Sequence, residues 1–432
     1  MAAFNALGVP TQCDPEINYC LIYTIFTLSG AVINVSKVSI CMSSYNYAKF
    51  LREAIDSVLH QTFEDYEFFI YDDGSTDESW QIIQSYTDAR ITSFRGNRNL
   101  NDRFWMKKAI YEMGSGELIA VHHSDNLWEP EKLQKQVAYM DENPETGAVF
   151  ANCQNINEAG EPLDDKPVTD NNRSRHEWLN YFFYKGNALF HPTALIRKKC
   201  FDACGFYRNG LVQIPDFDLW VRICMKYEIH VIPEKLIRYR KRADNLNISG
   251  IRPETRIRLQ FEFLQLLDNY MKIPTYEDLV KIFPSAEKYY RADGFDIGYI
   301  LGMTALETQA KTVKHKQFGI PTYHLFGLKL LFEAINEPNR ANKIKELYGF
   351  GHKDLIALTG SHDVFSFEEN QYLLSKLKEK EQEQVGWKIV SYFGRIGEAL
   401  FPRKSLQYRV LRKIKKSISS LFNKPGQSRK AK

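Results

Sequence analysis

The chain has 432 residues, 44% hydrophobic and 25% charged, a globular composition long enough for roughly two or three domains and a full apolar core. A formal net charge of +4 argues against a surface coated in nucleic acid, and the basic excess sits at one end, where Leu400–Lys432 carries 11 Lys and Arg and no acid. Seven scattered cysteines, odd in number and without C-x-x-C or Cys/His ligand spacing, argue against a disulfide scaffold or a zinc site and read as reduced thiols.

In chain order, no stretch reaches the roughly 18 uncharged apolar residues that a membrane helix needs. The nearest, Tyr19–Val35, is interrupted by Thr, Ser, Gly and Asn and follows Asp14 and Glu16, so it makes a poor signal peptide. Residues 1–36 are set apart as an N-terminal extension without an assigned role. Val38–Met42 then reads as a strand ending in Ser43, Ser44, Tyr45 and Asn46, followed by a helix whose apolar face is Phe50, Leu51, Ala54, Ile55, Val58 and Leu59. Phe68, Phe69, Ile70 and Tyr71 form a second strand, buried on both faces by composition, that stops at Asp72, Asp73 and Gly74. Gly74 permits a turn that a Cβ would strain, and Ser75, Thr76 and Asp77 can cap the next helix, through Trp80, Ile82, Ile83 and Tyr86.

A short strand Ile91–Phe94, a helix from Trp105 to Met113 and a strand Glu117–Val121 come next, the last ending in His122, His123, Ser124, Asp125 and Asn126. A helix Pro130–Asp141 and a strand Ala148–Ala151 complete an alternation that predicts a parallel sheet with crossover connections. Ser43, Asp73 and Asp125 therefore share the carboxyl ends of strands, where such sheets bind ligands. No G-x-G-x-x-G follows the first strand and no G-x-x-x-x-G-K-[ST] is present, so neither a dinucleotide site nor a P-loop is supported. A crevice rimmed by carboxylates suits a divalent cation that bridges a diphosphate.

Four segments carry a family resemblance: VSICMSSYN at Val38–Asn46, YDDGSTD at Tyr71–Asp77, HSDN at His123–Asn126 and PDFDLWVR at Pro215–Arg222. In order and separation they resemble glycosyltransferase family 2, inverting enzymes of GT-A fold, and Lys185–Tyr207 resembles the segment before the last motif. The resemblance covers about Val38–Asn247. It implies an α/β domain over 37–250 with a mostly parallel sheet and helices on both faces. It also implies a nucleotide-sugar donor held by Ser43, Tyr45 and Asp73, with Mn²⁺ or Mg²⁺ on Asp125 and Asp216 as general base toward an acceptor hydroxyl. Asp216 and Asp218, at i and i+2, lie on different faces of a helix turn, and the family pattern favours Asp216.

Two positions depart from the pattern. The D-x-D segment reads His123, Ser124, Asp125, with one carboxylate where two are common, and Arg242 stands where a histidine often joins the metal. Arginine cannot ligate a cation but pairs with diphosphate oxygens, so Arg240 and Arg242 become candidates for leaving-group binding. His123 is a candidate for a diphosphate contact and His191 for one near the acceptor. Trp105, Trp128 and Trp220 read as core or as sugar-stacking rings, and the polar stretch Asp164–Glu177 reads as a loop over the site.

From Ile251 the periodicity turns helical, which predicts a mainly α-helical domain over 251–385 with a breaker-rich connection near Gly349–Phe365. Residues 386–432 end in an amphipathic pattern: Leu406, Val410, Leu411, Ile414, Ile418 and Leu421 share one face, and Arg409, Arg412, Lys413, Lys415 and Lys416 fill the rest. With Trp387, Tyr392, Phe393 and Ile396 just upstream, this tail is expected to meet an anionic membrane surface from the cytoplasmic side, where a glycan or lipid-linked acceptor would be reached. Nucleic acid is not an expected partner. A nucleotidyltransferase would need a Gly-rich basic loop after the first strand, which SSYN does not provide, and the incomplete D-x-D keeps open a nucleotide-sugar-binding domain without turnover.

Overall fold

The computed structural model describes residues 35–99, 104–163, 172–242, 252–309, 319–365 and 370–378, with scattered positions beyond. The expectations for residues 1–34, for residues 164–171 of the loop expected over Asp164–Glu177 and for most of the amphipathic face of the tail fall outside the described residues; the end of that stretch, from Arg175, is helical and not loop. Among the described residues no helix is long and apolar enough to cross a membrane.

The described chain divides into two compact units, the first running to Lys288 and the second comprising Tyr289–Gln309 and the residues from Gly319 onward. In the first, strands β1 (Val38–Ser44), β2 (Tyr66–Asp72), β3 (Ile91–Arg95) and β4 (Leu118–His123) alternate with helices α1 (Ala48–Leu59), α2 (Ser79–Gln84) and α3 (Phe104–Lys108), the last running on into a π-helical turn Ala109–Met113. After β5 (Leu127–Trp128) come α4 (Lys132–Glu142), β6 (Thr146–Ile156), α5 (Arg175–Lys185), β7 (Leu195–Arg197), α6 (Lys198–Cys204), α7 (Pro215–Cys224) and β8 (Glu228–Arg240). The eight described strands form one sheet in the order β3-β2-β1-β4-β7-β6-β8-β5.

The four leading strands are mutually parallel, in a register that sets Ser43 opposite Tyr71 on β2 and His123 on β4. Their apolar runs explain the arrangement. Ile40, Met42, Phe68, Ile70, Leu118 and Ala120 are buried with Leu51, Ala54, Ile55 and Val58 of α1, as central strands covered by crossover helices require. The sheet is mixed beyond them, because β7 runs antiparallel to both β4 and β6, and β5 antiparallel to β8. β7 is only three residues long, too short for its direction to be read from sequence. β8 is 13 residues long and was not anticipated, since Pro233 and the charges around it break the apolar pattern. Its parallel pairing with β6 jumps from Ala151↔Ile232 to Asn152↔Lys235, a bulge that accommodates the proline, and Asn152 donates to the Pro233 carbonyl at 2.8 Å.

The first unit extends past residue 250, where the sequence reading ended its α/β domain. Helix α8 (Pro253–Leu267), the 3-10 turn Asp268–Lys272 and α9 (Tyr276–Ile282) belong to it because their apolar faces close its core. Phe263, Leu266, Leu267 and Tyr270 are fully buried, the Tyr270 hydroxyl donates to Leu179 of α5, and Asp278 accepts from Arg175 and pairs with His176.

The second unit is helical: α10 (Ile297–Leu306), α11 (Ile320–Asn336), α12 (Pro338–Tyr348) and α13 (His352–Ser361). α10 and α11 cross where Gly302 meets Gly327. A Cβ at Gly327 would stand 2.6 Å from the Gly302 carbonyl oxygen, so backbone meets backbone and neither side can yield by rotating a side chain. Gly327→Ala is expected to lower stability by about 1–3 kcal/mol despite alanine's better helix propensity. Urea unfolding of the full chain checks this, and an unchanged midpoint would contradict it.

Candidate functional site

The loops after β1 and β2 are stitched together by side chains that cap one another's backbone. Asn46, in the left-handed region at φ 56°, accepts from the Thr76 amide at 2.8 Å, while its own amide donates to Ser75 Oγ at 2.9 Å. The amides of Tyr47 and Ala48, at the start of α1, donate to Ser79 Oγ and to Asp77 Oδ2, both at 3.0 Å. Burial opposes ionisation of Asp77, but the hydrogen bonds from Ser79 and Ala48 outweigh it and hold the carboxyl below its ordinary range. Gly74 has φ 76°, and a Cβ there would lie 2.8 Å from Arg98 Cα, so the turn needs glycine for both conformation and space.

The two acids of this turn have different fates. Asp72 is fully buried, accepts from the Ser75 amide at 3.1 Å and forms an ion pair with Arg95, whose Nε lies 3.2 Å away, which makes it part of the turn. Asp73 is part-exposed at the rim, its amide donating to the Ser44 carbonyl at 2.8 Å across to the end of β1. Ser43 and Tyr45 are exposed on the same rim.

At the end of β4, His122 is buried in the core against Trp128, while His123 is part-exposed with its Nε2 3.4 Å from Nδ1 of His191. His191 Nε2 lies 2.7 Å from the Tyr207 hydroxyl. Ser124 Oγ donates to the Ser43 carbonyl at 3.0 Å and ties this loop to β1. Asp125 is 6% exposed, and burial pushes its carboxyl up to about 6 against the pull of Arg242 and Arg240.

Arg240 does not serve as the free cation expected from sequence. It is 1% exposed, lies over the Phe50 ring, and donates from Nε to the Asp125 carbonyl (2.9 Å), from Nη1 to the Glu158 carbonyl (2.8 Å) and from Nη2 to Glu53 (2.8 Å). A guanidinium so committed braces the β4–β5 loop and leaves no face for a diphosphate. Arg242 differs: it is part-exposed, its guanidinium lies 5.1 Å from the centre of the Tyr47 ring, and its charge acts on Tyr47 and Asp125.

On α7 the two acids also separate. Asp218 is fully buried and accepts from Arg222 Nε at 2.9 Å, from Arg208 Nε at 3.1 Å and from Asn269 at 2.8 Å. Asp216 is part-exposed, with Asn187 Nδ2 3.4 Å away. The Tyr239 phenol links this helix to β4: burial first, then the charges of Asp125 and Asp216 among others, push it up to about 12. The charges of Asp125 and Arg242 thus act on Tyr47 and those of Asp125 and Asp216 on Tyr239, while Ser43, Tyr45 and Asp73 stand at the ends of β1 and β2. Tyr47 and Tyr239 were missed in the sequence although Tyr47 follows the segment Val38–Asn46 and Tyr239 precedes Arg240. Trp128 and Trp220 are core, and Trp105 stacks on Tyr71 at 5.2 Å.

The donor set bears on a cation. Among the described residues no group of three or more His, Cys, Asp or Glu could hold a metal ion. A single buried carboxylate on a loop still fits a hard cation whose other ligands are phosphate oxygens and water, the usual Mg²⁺ arrangement. The raised pKa states the energetic side of this. A carboxyl that holds its proton more tightly folded than unfolded contributes stability below about pH 4 that is lost as pH rises through 6. At pH 7.5 its buried charge therefore costs about 3 kcal/mol. Asp125→Asn is expected to raise the melting temperature of the metal-free protein at pH 7.5, the gain shrinking as pH falls toward 4; thermal scans across that range check it, and a lower melting temperature at pH 7.5 would contradict it.

Comparison with known proteins adds the family. Residues 39–205 match the model described as glycosyl transferase family 2. An uncharacterized glycosyltransferase of Methanocaldococcus jannaschii is 30% identical over 209 residues, 47% of this chain and 70% of that protein. A second, from Nostoc sp., is 25% identical over 62% of this chain and 88% of its own length. Solved structures similar to the chain include S. aureus TarS 1–349 in complex with UDP-GlcNAc, with a TM-score of 0.46 and 16% identity over 74% of this chain and 83% of that one. Another is the mannosyltransferase PcManGT from Pyrobaculum calidifontis in complex with GDP-Man and Mn²⁺, with a TM-score of 0.42 and 16% identity over 84% and 90%. With a relative at 30% identity matched over more than two thirds of its length, on a mixed α/β sheet followed by helices, the chain belongs to glycosyltransferase family 2 and is a glycosyl-transferring enzyme.

Proposed function

We propose that the protein transfers a sugar from a nucleotide-diphosphate sugar, a UDP- or dTDP-sugar, to a hydroxyl of a glycan or lipid-linked acceptor by a single displacement with inversion. The observation that supports this reading is the placement of Arg242 over the Tyr47 ring, with the charge of Asp125 acting on both Tyr47 and Tyr239 and that of Asp216 on Tyr239, in the unit whose β1 and β2 end in polar residues. Ser43, Tyr45 and Asp73 take the nucleoside, Asp73 accepting a hydrogen bond from the base N3–H. Arg242 pairs with the diphosphate, and Asp125 holds Mn²⁺ or Mg²⁺ against it. A divalent cation bound there supplies charge stabilisation of the leaving diphosphate. Asp216 takes the proton of the acceptor hydroxyl as that oxygen attacks the anomeric carbon. A carboxylate can do so because the hydroxyl's acidity rises in the transition state.

The setting is glycan or surface-polysaccharide synthesis at the cytoplasmic face of a membrane, approached through the basic tail of residues 386–432. Incubation with a panel of nucleotide sugars and Mn²⁺, followed by detection of free UDP, dTDP or GDP, tests the reading. Release with one donor supports it. Retention of a nucleotide sugar without release in the presence of candidate acceptors would instead mark a binding domain without turnover, the alternative that the single carboxylate of His123-Ser124-Asp125 favours.

A further inference from the structure

We infer that Glu262 of α8 is a positioning residue for Asp216, so that the segment following the α/β core belongs to the catalytic apparatus. This rests on the role proposed above for Asp216.

Helix α7 begins without a cap of its own. Its N-cap position is Ile214, whose side chain cannot accept a hydrogen bond, and its first residue is Pro215. The backbone amides that enter the helix are satisfied from another element. Glu262 is fully buried, and its Oε1 accepts from the Val212 amide at 2.8 Å while its Oε2 accepts from the amides of Gln213 at 2.8 Å and Ile214 at 3.0 Å. One carboxylate thus fixes three consecutive residues that end two positions before Asp216. Its charge also meets the positive end of the helix, where an anion is favoured. Two positions after Asp216, Asp218 is held by Arg208, Arg222 and Asn269, and Asn269 lies in the 3-10 turn that follows α8. The backbone of Asp216 is bracketed on both sides by groups drawn from the segment 262–269.

Such bracketing matters for a base that must meet an acceptor hydroxyl, since misplacing a catalytic group by about 1 Å can lower turnover on the order of a hundredfold. The donor side chains Ser43, Asp73 and Asp125 stand on strand ends and not on this loop. Loss of Glu262 is therefore expected to act on turnover and not on donor binding. Glutamine at 262 has one acceptor oxygen and one NH₂ group where three amides converge on two oxygens, so at least one amide loses its partner while the side-chain volume is kept.

The test compares wild type, Glu262→Gln and Glu262→Ala with Val137→Ala, a core change on α4 that lowers stability elsewhere. Nucleotide release from the donor the wild type uses is measured at 25 °C, with water or the acceptor. For Glu262→Gln the expected result is a fall in kcat of roughly 10- to 100-fold, the donor KM staying within about threefold, as for an interaction realised in the transition state. Glu262→Ala is expected to fall at least as far, and Val137→Ala to keep its kcat. Hydrogen exchange supplies a second readout that needs no turnover: faster exchange in Glu262→Gln confined to the peptide carrying residues 212–218. Wild-type kcat in a folded Glu262→Gln, or unchanged exchange at 212–214, would overturn the inference alone. A wild type that releases nucleotide from no donor would overturn the functional reading and this inference with it.

Discussion

Asp216→Asn is expected to lower nucleotide release in the presence of acceptor by about 10²–10⁴-fold, the usual contribution of a general base, while the protein stays folded and still binds its donor. The substitution preserves shape, and the side chain is part-exposed with Asn187 Nδ2 3.4 Å away, so no fully buried group is changed. Stability should change by no more than about 0.5 kcal/mol. Comparing the variant's release rate with its nucleotide affinity by titration calorimetry separates the two effects. Turnover untouched in a folded variant would remove Asp216 from the mechanism.

Two positions along the same helix, Asp218→Asn is expected to do the opposite, lowering stability by about 3–5 kcal/mol because it breaks a buried ion pair and leaves a cation without its counter-charge. The Arg222–Asp218 pair carries this magnitude, its side chains being 5% and 0% exposed. Arg208 is about a third exposed, so its share is screened by water and discounted. The amide would also lose part of the acceptance from Asn269 that ties α7 to the following 3-10 turn. Urea unfolding of the two variants side by side checks the contrast. Asp218→Asn as stable as wild type, or Asp216→Asn as the more destabilised of the two, would contradict it.

The contrast also shows where sequence reasoning reaches and where it stops. Strand ends were legible because apolar runs change abruptly to small polar residues at Ser43, Asp73 and His123, and because only glycine fits at position 74. That Asp216 and Asp218 would lie on different faces of the helix followed from their spacing, while the three partners of Asp218 lie up to 51 residues away and could not be foreseen. Arg240 was misread for a related reason. A basic residue in a segment of basic residues shows its charge but not its burial, and its partners Glu53, Asp125 and Glu158 come from helix α1 and two separate loops. Tyr47 and Tyr239 were hidden by abundance: with 24 Tyr and 28 Phe, an aromatic beside a motif carries little information. β8 was hidden by its own proline, and the reach of the first unit to Lys288 by helical periodicity, which looks alike whether a helix closes one core or starts another.

The most direct test of the central claim is a calorimetric titration of UDP, dTDP and GDP into wild type and Asp125→Ala, each with Mn²⁺ and with chelator. The account expects UDP or dTDP, in preference to GDP, to bind wild type in the presence of Mn²⁺, and chelation or Asp125→Ala to weaken that binding by roughly tenfold or more. Binding of equal strength in Asp125→Ala, or no binding of any of the three to wild type, would contradict it.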